Sequence, residues 1–386
     1  METVKGFRDI ENSTKRNSIR NIIEETFKLY NFIPVETPII EYKEFVKGEN
    51  SDDEAVSDIF KLQDKGKRNL ALRYEFTFQL KRLTKNKKFP YKRYQIGPVF
   101  RDEPITKNRW RQFTQCDVDI IGSSLKDEAE ILKITSEILK KLEMNFTINY
   151  NNRKMLNEIL DEQKIKENYR EQILREIDKI DKQSEKETIK KLKKYKAEKI
   201  FTILKKPRKY FERYKNYKEI KELEEFCKLY NIKINFAPTL VRGLSYYNGT
   251  IFEVKSDLKE TIVAGGSYLI NNIQSTGISF GLDRLELLSK ISIKNKKILI
   301  ISLGQDKKAI KIAENIRSEK IPVQISYKKP GKALEYANSL DFPLVIFIGE
   351  KEIKEKKLKI KNMETGKEKT IPETQLIKFL QNPTFN

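Results

Sequence analysis

The segment at 94–122, YQIGPVFRDEPITKNRWRQFTQCDVDIIG, constrains the fold of this chain more than any other. Two stretches in it alternate apolar with polar residues, which predicts two β-strands that each bury one face. The polar turn between them carries acids together with Arg101, Arg109 and Arg111. We therefore predict a charged β-hairpin. Its arginines either keep the surface soluble or bind several oxygens of a polyphosphate in fixed geometry.

Length and charge indicate a multidomain protein with a polyanionic partner. The chain has 386 residues, enough for two or three domains with separate cores. Lys and Arg number 78 against 56 Asp and Glu, a formal net charge of +22, which favours a partner such as nucleic acid. A coding bias toward lysine would produce part of the same excess. The lysine run at 190–209 is therefore open to two interpretations, an RNA-binding surface or a solvated helix face.

The scarce residue types exclude several kinds of site. The chain has no histidine and two cysteines, so mechanisms that need an imidazole from the protein, and metal sites built from His or Cys, are not expected. Two cysteines also cannot form a disulfide framework, which fits a reducing compartment. No apolar run approaches the roughly 20 residues of a membrane-spanning helix. We expect a cytoplasmic protein without membrane contact.

Local patterns predict the elements around the hairpin. They are a helix at 13–30, an edge strand at 32–42, an acidic loop at 51–58, a second hairpin at 59–73 and a helix at 125–142. Glu75 and Thr77 lie where the second hairpin gives way to a helix. Residues 153–229 place apolar residues at helical spacing, which predicts a helical insertion. From 297, strands and helices alternate as in a small α/β domain with a mostly parallel sheet.

Three separated segments each place an arginine beside a predicted strand. Arg101 and Arg109 belong to the hairpin, Arg242 to LVRGLSYYNGTIFE, and Arg284 to GISFGLDRLELL. This combination is more specific than any one of its members. In two of these segments glycine next to the arginine would allow a ligand to approach the backbone closely.

With these residues the sequence resembles a class II aminoacyl-tRNA synthetase and, within that class, the histidyl-tRNA synthetase family. TPIIE resembles the class motif with the proline at the dimer interface, FRDE with RWRQF the second motif, and GLDRL the third. LVRGLSYY and the AGGSY of TIVAGGSY resemble the two signatures of the histidyl family. KKPGKALEYANSLDFPLVIFIG resembles its anticodon-binding module.

The resemblance implies an α+β catalytic domain, in which helices flank an antiparallel sheet, with a helical insertion and a C-terminal α/β anticodon-binding domain. The implied bounds are 1–150 and 233–292 for the catalytic domain, 151–232 for the insertion and 297–386 for the anticodon-binding domain. It also implies a homodimer that uses ATP, with Mg²⁺, to form histidyl-adenylate. The histidyl group would then pass to the 3′ end of tRNA-His.

The resemblance also implies contacts to ATP. Arg101 and Arg242 would be the catalytic pair at the α-phosphate, Arg109 and Arg284 would bind the β- and γ-phosphates, Glu103 would accept from the adenine amino group, and Phe113 would stack on the ring. An arginine keeps its proton here and so serves as a fixed cation. The alternative is ordinary salt bridges from these arginines to Asp102, Asp117 or Asp283.

For histidine, the resemblance implies contacts at both ends of the amino acid. Glu75, Thr77 and Gln115 would surround the α-ammonium group, Asp119 and Tyr247 the imidazole, and Tyr268, Gly265 and Gly266 would close the pocket. An acceptor and a phenol at fixed separation select a ring with two nitrogens. We expect Tyr246, by contrast, to be an ordinary strand residue.

The chain departs from the family pattern at a few positions. Tyr74 replaces a usual proline, Ser245 an aspartate, and Ser267 and Leu269 the arginine and aspartate that usually flank the tyrosine at 268. These changes put the geometry of that wall in doubt.

The alternative function is a catalytically silent paralogue that acts as a regulatory or sensing subunit, which generally lacks the anticodon-binding module and an intact RGLxYY segment. Both segments are present here. A third possibility, proline, threonine or glycine as the substrate, would leave the polar pair Asp119 and Tyr247 without partners.

Overall fold

The computed structural model describes residues 2–47, 58–106, 109–179, 183–242, 246–257, 260–292 and 297–385. Two compact units divide the chain, Met1–Ile291 and Ser292–Asn386. Ser245 and most of the acidic loop expected at 51–58 lie outside the described residues. The further division of the first unit at 150 and 232 stays a prediction. No helix among the described residues is both long and apolar enough to cross a membrane.

The first unit contains eleven strands and ten α-helices among its described residues. The strands are β1 (Ile33–Pro34), β2 (Ile40–Tyr42), β3 (Lys61–Gln63), β4 (Asn69–Leu72), β5 (Tyr91–Phe100), β6 (Gln112–Ile121), β7 (Phe146–Asn152), β8 (Asn235–Phe236), β9 (Tyr247–Ser256), β10 (Thr261–Ile270) and β11 (Ile273–Gly281). The helices are α1 (Thr14–Leu29), α2 (Lys43–Lys47), α3 (Leu80–Leu83), α4 (Leu125–Lys141), α5 (Arg153–Glu162), α6 (Glu167–Asp178), α7 (Glu185–Lys193), α8 (Glu198–Leu204), α9 (Tyr217–Leu229) and α10 (Leu282–Leu288). The helices predicted at 13–30 and 125–142 and the helical character of 153–229 are confirmed.

An eight-stranded sheet with the order β1-β5-β6-β11-β10-β9-β7-β8 is the centre of this unit. The inner strand pairs of this sheet are antiparallel. Within the described part of the sheet, only the short edge strands β1 and β8 pair in parallel with their neighbours. The predicted hairpin is β5 and β6, which pair antiparallel over their whole length. The edge strand expected at 32–42 is two short strands in different sheets. Of these two, only β1 lies at the edge of the large sheet, where proline removes no ladder hydrogen bond that the sheet needs.

The two faces of β6 have different environments because successive side chains of a strand point to opposite faces. Cys116, Val118 and Ile120 lie in the apolar core, into which α1 and α4 also bury residues such as Phe27 and Ile131. The residues that face the other way are Phe113, Gln115, Asp117 and Asp119. The alternation in the sequence therefore produces one apolar and one polar face.

The hairpin predicted at 59–73 is β3 and β4, which form a small separate sheet with β2. On β2 the usual alternation is inverted, since Glu41 is buried while Ile40 and Tyr42 are exposed. Glu41 is paired with Arg82 at 2.7 Å. The outer side of this small sheet is thus apolar.

The second unit contains a five-stranded sheet with two core clusters, one on each face. Its elements are β12 (Ile298–Ser302), α11 (Asp306–Ser318), β13 (Val323–Ser326), α12 (Pro330–Ser339), β14 (Leu344–Ile348), α13 (Glu350–Glu355), β15 (Lys357–Asn362), β16 (Glu368–Pro372) and α14 (Leu376–Gln381). The expectation of a mostly parallel sheet is confirmed only for β12, β13 and β14, because β15 pairs antiparallel with β14 and β16 pairs antiparallel with β15. The connection at 349–356 is shorter than the dozen residues that a parallel crossover takes.

Candidate active site

A cavity of about 1050 Å³ lies on the polar face of the large sheet. The predicted site residues that line it are Glu75, Thr77, Arg101, Glu103, Arg109, Phe113, Gln115, Asp119, Arg242, Tyr247, Gly265, Tyr268 and Arg284. Gly266 is the predicted residue that does not line it. The structure thus brings together residues as far apart in the sequence as Glu75 and Arg284.

Gly266 has a different place from the one expected. A Cβ atom there would lie 2.5 Å from the carbonyl oxygen of Thr250 and 2.9 Å from the ring of Tyr247. The absence of a side chain therefore lets β9 and the Tyr247 ring approach β10 closely. Gly265 does line the cavity, and a Cβ atom there would lie 2.2 Å from the carbonyl oxygen of Gly277 on β11.

Strand β6 supplies the longest row of site residues. Phe113, Gln115, Asp117 and Asp119 all line the cavity, because residues two apart on a strand share a face. From the sequence, Asp117 is expected only as a possible salt-bridge partner of the arginines. Its spacing from Gln115 and Asp119 is the signal that could have identified it as a cavity residue.

Asp119 is held by two charged or polar neighbours. Its Oδ2 lies 2.7 Å from Nη2 of Arg93 on β5, and its Oδ1 accepts a hydrogen bond from the Tyr268 hydroxyl. Burial raises the pKa of Asp119, while the positive charge of Arg93 and the Tyr268 hydrogen bond oppose that rise. The resemblance paired Asp119 with Tyr247, but in the structure the phenol that bonds to it is that of Tyr268.

Two further buried carboxyl groups lie in the same part of the cavity. Burial, with a contribution from the charge of Asp117, raises the pKa of Glu75 to about 8. Burial, with a contribution from the charge of Asp119, raises the pKa of Asp117 to about 7. Asp117 accepts from the Ser279 hydroxyl at 2.5 Å and from Gln115 at 3.1 Å. Within the described part of the chain, Oε1 of Glu75 has no hydrogen-bond partner.

This carboxyl-rich end has the electrostatic character of a cation site. Three carboxyl groups line it, and the buried guanidinium of Arg93 contacts one of them, Asp119. Buried carboxylates are costly unless they are paired, so each raised pKa reports a missing positive charge. An ammonium group bound here would supply it.

The other end of the cavity carries arginines. The Arg101 guanidinium lies 4.2 Å from the centre of the Tyr74 ring and 5.1 Å from that of Phe113. Glu103 lies between two of the arginines, 3.8 Å from Arg101 and 3.4 Å from Arg109. Both separations are long for a charge-assisted hydrogen bond. These cations are therefore only loosely engaged by the protein.

Arg242 and Arg284 reach the cavity from distant segments. Nη1 of Arg242 lies 3.5 Å from Glu253, and its buried Nε has no hydrogen-bond partner among the residues described. Arg284 donates to the carbonyl oxygen of Thr261. Burial and the charge of Arg109 lower the pKa of Arg284. Arg284 thus lies close to Arg109 and Arg101, whereas Arg242 lies close to Glu253 and Tyr247.

The alternative salt bridges expected from the sequence are not found in the described structure. Asp102 pairs with Arg111 at 2.9 Å, and Asp283 pairs with Arg8 at 2.9 Å and Arg16 at 3.1 Å. Asp117 is held by neutral donors instead. Asp102, Asp117 and Asp283 therefore do not form ion pairs with Arg101, Arg109, Arg242 or Arg284 in the described part of the chain.

Some cavity residues were missed from the sequence. The expectation that Tyr246 is an ordinary strand residue is wrong, since it precedes β9 and lines the cavity, with its ring 4.7 Å from that of Tyr247 and 5.8 Å from that of Tyr268. Arg175 and Asp178, at the end of α6 in the helical insertion, also line the cavity. Nothing in their local pattern distinguishes them from other helix residues.

The departures from the family pattern have local explanations. Tyr74 stacks against the Arg101 guanidinium. Ser267 points away from the cavity and donates to Glu128 on α4, while Leu269 is about half exposed. The wall between them is formed by Tyr268, whose hydrogen bond to Asp119 does not involve either neighbour.

Comparison with known proteins gives two matches to family models. The model described as histidyl-tRNA synthetase matches residues 6–285. The model described as anticodon binding domain matches residues 297–383. Together they cover nearly the whole chain.

Individual relatives agree with these matches. Histidine–tRNA ligase 1 of Bacillus cereus is 34% identical, over 100% of this chain and 98% of its own length. A crystal structure of histidyl-tRNA synthetase from Nostoc sp. PCC 7120 superposes with a TM-score of 0.86 at 22% identity, over 99% of both chains. A Bacillus halodurans structure described as an ATP phosphoribosyltransferase regulatory subunit/histidyl-tRNA synthetase has a TM-score of 0.74 at 20% identity and covers 87% of this chain and 96% of its own. At these identities the two structures support the fold.

The raised pKa of Glu75 predicts a pH dependence of stability. The folded protein holds this proton to about pH 8, whereas the pKa of a free glutamate is 4.5, so unfolding becomes easier as the pH rises through this window. One such group contributes a slope of up to about 1.4 kcal/mol per pH unit. We expect the free energy of unfolding of the ligand-free protein, from urea denaturation, to fall less steeply with pH in Glu75→Gln.

The control is Glu225→Gln, which changes an exposed glutamate of α9 and should leave the slope as it is in the parent protein. Equal slopes for Glu75→Gln and the parent between about pH 5 and about pH 8 would show that Glu75 does not hold a proton in the folded state.

Proposed function

The chain belongs to the histidyl-tRNA synthetase family, and we propose that the cavity on the polar face of its large sheet binds histidine and ATP side by side. The chain is a histidine–tRNA ligase, which joins histidine to tRNA at the expense of ATP. The observation that supports the placement is the grouping of charge in the cavity. The buried carboxyl groups of Glu75, Asp117 and Asp119 interact with one another, and Arg284 interacts with Arg109 and Arg101. An amino acid has an ammonium group for the carboxyl groups, and a nucleotide has phosphates for the arginines.

The first chemical step follows from this arrangement. A carboxylate oxygen of histidine attacks the α-phosphorus of ATP, a new P–O bond forms, and the bond to the bridging oxygen breaks as pyrophosphate leaves. Negative charge builds on the non-bridging oxygens, so the protein contributes by positioning and by fixed positive charge. Arg101 and Arg242 would supply that charge from two sides. Both remain protonated throughout.

The remaining nucleotide contacts are assigned by their position in the cavity. Arg109 and Arg284 would bind the β- and γ-phosphates and stabilise the departing pyrophosphate. Glu103 would accept from the adenine amino group, and Phe113 would stack on the adenine ring. The long separations from Arg101 and Arg109 to Glu103 support this proposal, since Glu103 can exchange them for ligand contacts at little cost.

Histidine would occupy the carboxyl-rich end. Glu75, Thr77 and Gln115 would receive the α-ammonium group, which relieves the buried negative charge. Asp119 would accept a hydrogen bond from one imidazole N–H, while Tyr247 would meet the other ring nitrogen. Tyr268 and Gly265 would form the wall. This assignment makes selectivity depend on a buried acceptor that an amino acid without a ring N–H leaves unpaired.

Mg²⁺ would enter with the nucleotide. The described residues contain no group of three acidic or cysteine side chains that could hold a metal ion. Mg²⁺ commonly binds through substrate phosphates, waters and one or two carboxylates, so the ATP phosphates would hold most of its coordination. The ion would neutralise phosphate charge alongside the arginines.

The second unit would bind the anticodon of tRNA-His, in agreement with its family match. The chain's excess of positive charge suits a polyanion of this size. A cytoplasmic location would follow from the same role, since the tRNA is used in translation. The regulatory paralogue is not favoured, because both the anticodon-binding match and the four cavity arginines are present.

A homodimer would use the apolar outer side of the small sheet. Ile40 is 50% and Tyr42 55% exposed, and Ile33, Ile39 and Leu62 add to the same exposed set. Exposed apolar patches of this kind mark interaction surfaces. The motif TPIIE, which the resemblance places at the dimer interface, ends on β2. A second copy of the chain is the partner we propose.

The test of the function is amino-acid-dependent exchange of pyrophosphate into ATP. We expect exchange with histidine and not with proline, threonine or glycine, because only histidine fills both the ammonium and the imidazole positions. No exchange with histidine would contradict the activity, and exchange with another amino acid would redirect the assignment of the substrate.

Replacing Arg242 tests the proposed catalytic pair. We expect Arg242→Ala to slow adenylate formation about 100-fold or more, the typical effect of removing one donor that stabilises a developing oxyanion. Histidine binding, measured by calorimetry, should change little. The matched control is Arg20→Ala, an exposed arginine of α1. A rate equal to that of the control would show that Arg242 has another role.

The dimer proposal predicts the effect of charge on the small sheet. The double variant Ile40→Asp/Tyr42→Asp should sediment as a monomer where the parent sediments as a dimer, since both side chains would be desolvated at the interface. Leu229→Asp, at an 83% exposed apolar residue of α9, should remain dimeric. A parent protein that is monomeric at micromolar concentration, or a dimeric double variant, would refute the assignment.

A further inference from the structure

Arg93 on β5 is a fully buried arginine that the proposed chemistry does not use. Its side chain is 0% exposed, and it does not line the cavity. Burying a guanidinium is unfavourable unless an anion and hydrogen-bond acceptors compensate. Its Nε and Nη1 have no hydrogen-bond partners among the described residues. The compensation therefore depends on the contacts of its remaining nitrogen, Nη2.

Nη2 makes two contacts, and each leads to a different end of the proposed histidine pocket. It lies 2.7 Å from Oδ2 of Asp119, the proposed acceptor for the imidazole. It also donates to the carbonyl oxygen of Phe76 at 3.0 Å. Phe76 is the residue between Glu75 and Thr77, which would bind the α-ammonium group.

The sheet makes this connection rigid. Arg93 and Asp119 are direct partners in the β5–β6 ladder, and Asp119 pairs with Gly277 on the other side. A Cβ atom at Gly277 would lie 2.0 Å from Oδ1 of Asp119, so the space for the carboxylate exists because that residue is glycine. Asp119 has few alternative positions.

We propose that Arg93 is a positioning residue for histidine recognition. It links the Asp119 carboxylate to the backbone between Glu75 and Thr77, and so fixes the distance between the imidazole and ammonium ends of the pocket. It also keeps Asp119 anionic, as an acceptor for an imidazole N–H. This inference rests on the proposed function and adds a residue that does not touch the substrate.

The charges around Asp119 explain why a single cation has this effect. Tyr268 on β10 donates a hydrogen bond to Asp119 on β6. Asp117, also on β6, and Glu75, which precedes α3, are further carboxyl groups of the cavity. Tyr247 on β9 is a neutral phenol in the same wall. Burial already raises the pKa of Asp119, and Arg93 is the charge that opposes this rise. Without Arg93, Asp119 would be protonated at a higher pH.

The test compares the pH profile of histidine activation in the parent enzyme and Arg93→Met, by pyrophosphate exchange from about pH 6 to about pH 9. Because histidine recognition requires the Asp119 anion, activity is lost as the pH falls through its pKa. We expect the acid limb of kcat/KM for histidine to move up by about one pH unit in Arg93→Met. KM for histidine should rise about tenfold or more, with KM for ATP changed less than about threefold.

Two variants and one control separate positioning from folding. Arg93→Lys keeps the charge and should keep the acid limb near that of the parent. Arg93→Met added to Asp119→Asn removes both buried charges, and should raise KM for histidine little beyond Asp119→Asn alone, since Arg93 acts through Asp119. The control Arg153→Met removes another buried arginine, which pairs with Glu171. It should leave both KM values and the acid limb unchanged.

The outcomes are distinct. A parent enzyme that does not exchange pyrophosphate with histidine overturns the proposed function and this inference together. If the parent enzyme does exchange pyrophosphate with histidine, either of two results for Arg93→Met overturns the inference alone. One is an unchanged acid limb, and the other is an equal rise in KM for histidine and for ATP. If Arg93→Met does not fold, the test is the comparison of the double variant Arg93→Met/Asp119→Asn with Asp119→Asn. A KM for histidine that is about a further tenfold higher in the double variant contradicts the proposed action of Arg93 through Asp119.

Discussion

The pairing of β6 between β5 and β11 is the constraint on which the rest of the site depends. Strand alternation sends its apolar residues into the core beneath α1 and α4, and its polar residues into the cavity. A register slip of one residue would exchange the two sets and bury the carboxyl groups in the core. The fold and the site are therefore specified by the same ladder. Along it, Phe113 lies near Arg101 and Asp119 near the other carboxyl groups, so in the proposed assignment the order of residues on one strand would become the order of substrates in the cavity.

In the free protein the charged groups of the cavity are buried at a cost in free energy, which the proposed ligands would reduce. Glu75 and Asp117 are buried with pKa values raised to about 8 and about 7, and burial beside Arg109 lowers the pKa of Arg284. Like charges held close together cost stability in the free protein, and such perturbed groups are concentrated at functional sites. Two substrates of opposite local charge would remove both penalties at once. Binding histidine and ATP together is thus favoured by the arrangement of the protein's own charges.

Sequence periodicity predicted the elements that depend on residues close together in the chain. It did not predict side-chain contacts between strands that are distant in the sequence. The hairpin, the flanking helices and the insertion follow from spacing along the chain. The hydrogen bond from Tyr268 to Asp119 does not, because it requires β11 to lie between their strands and to carry a glycine at Gly277. Arg93 is also invisible to pattern analysis, since an arginine on a strand is ordinarily a solvent-facing residue. The mixed sheet of the second unit depends on a short connection rather than on any strand pattern.

The departure at Tyr74 shows how a change in the family pattern can be accommodated without altering the residues that would contact the substrates. Its ring and that of Phe113 both lie within cation–π distance of the Arg101 guanidinium. Arg101 is only loosely paired with Glu103, so these rings, more than a counter-ion, hold it in place. Aromatic contacts orient a guanidinium without neutralising its charge, whereas a close carboxylate would compete with a phosphate for the same N–H donors. Arg101 can therefore be positioned before ATP binds and still offer its full charge to the α-phosphate.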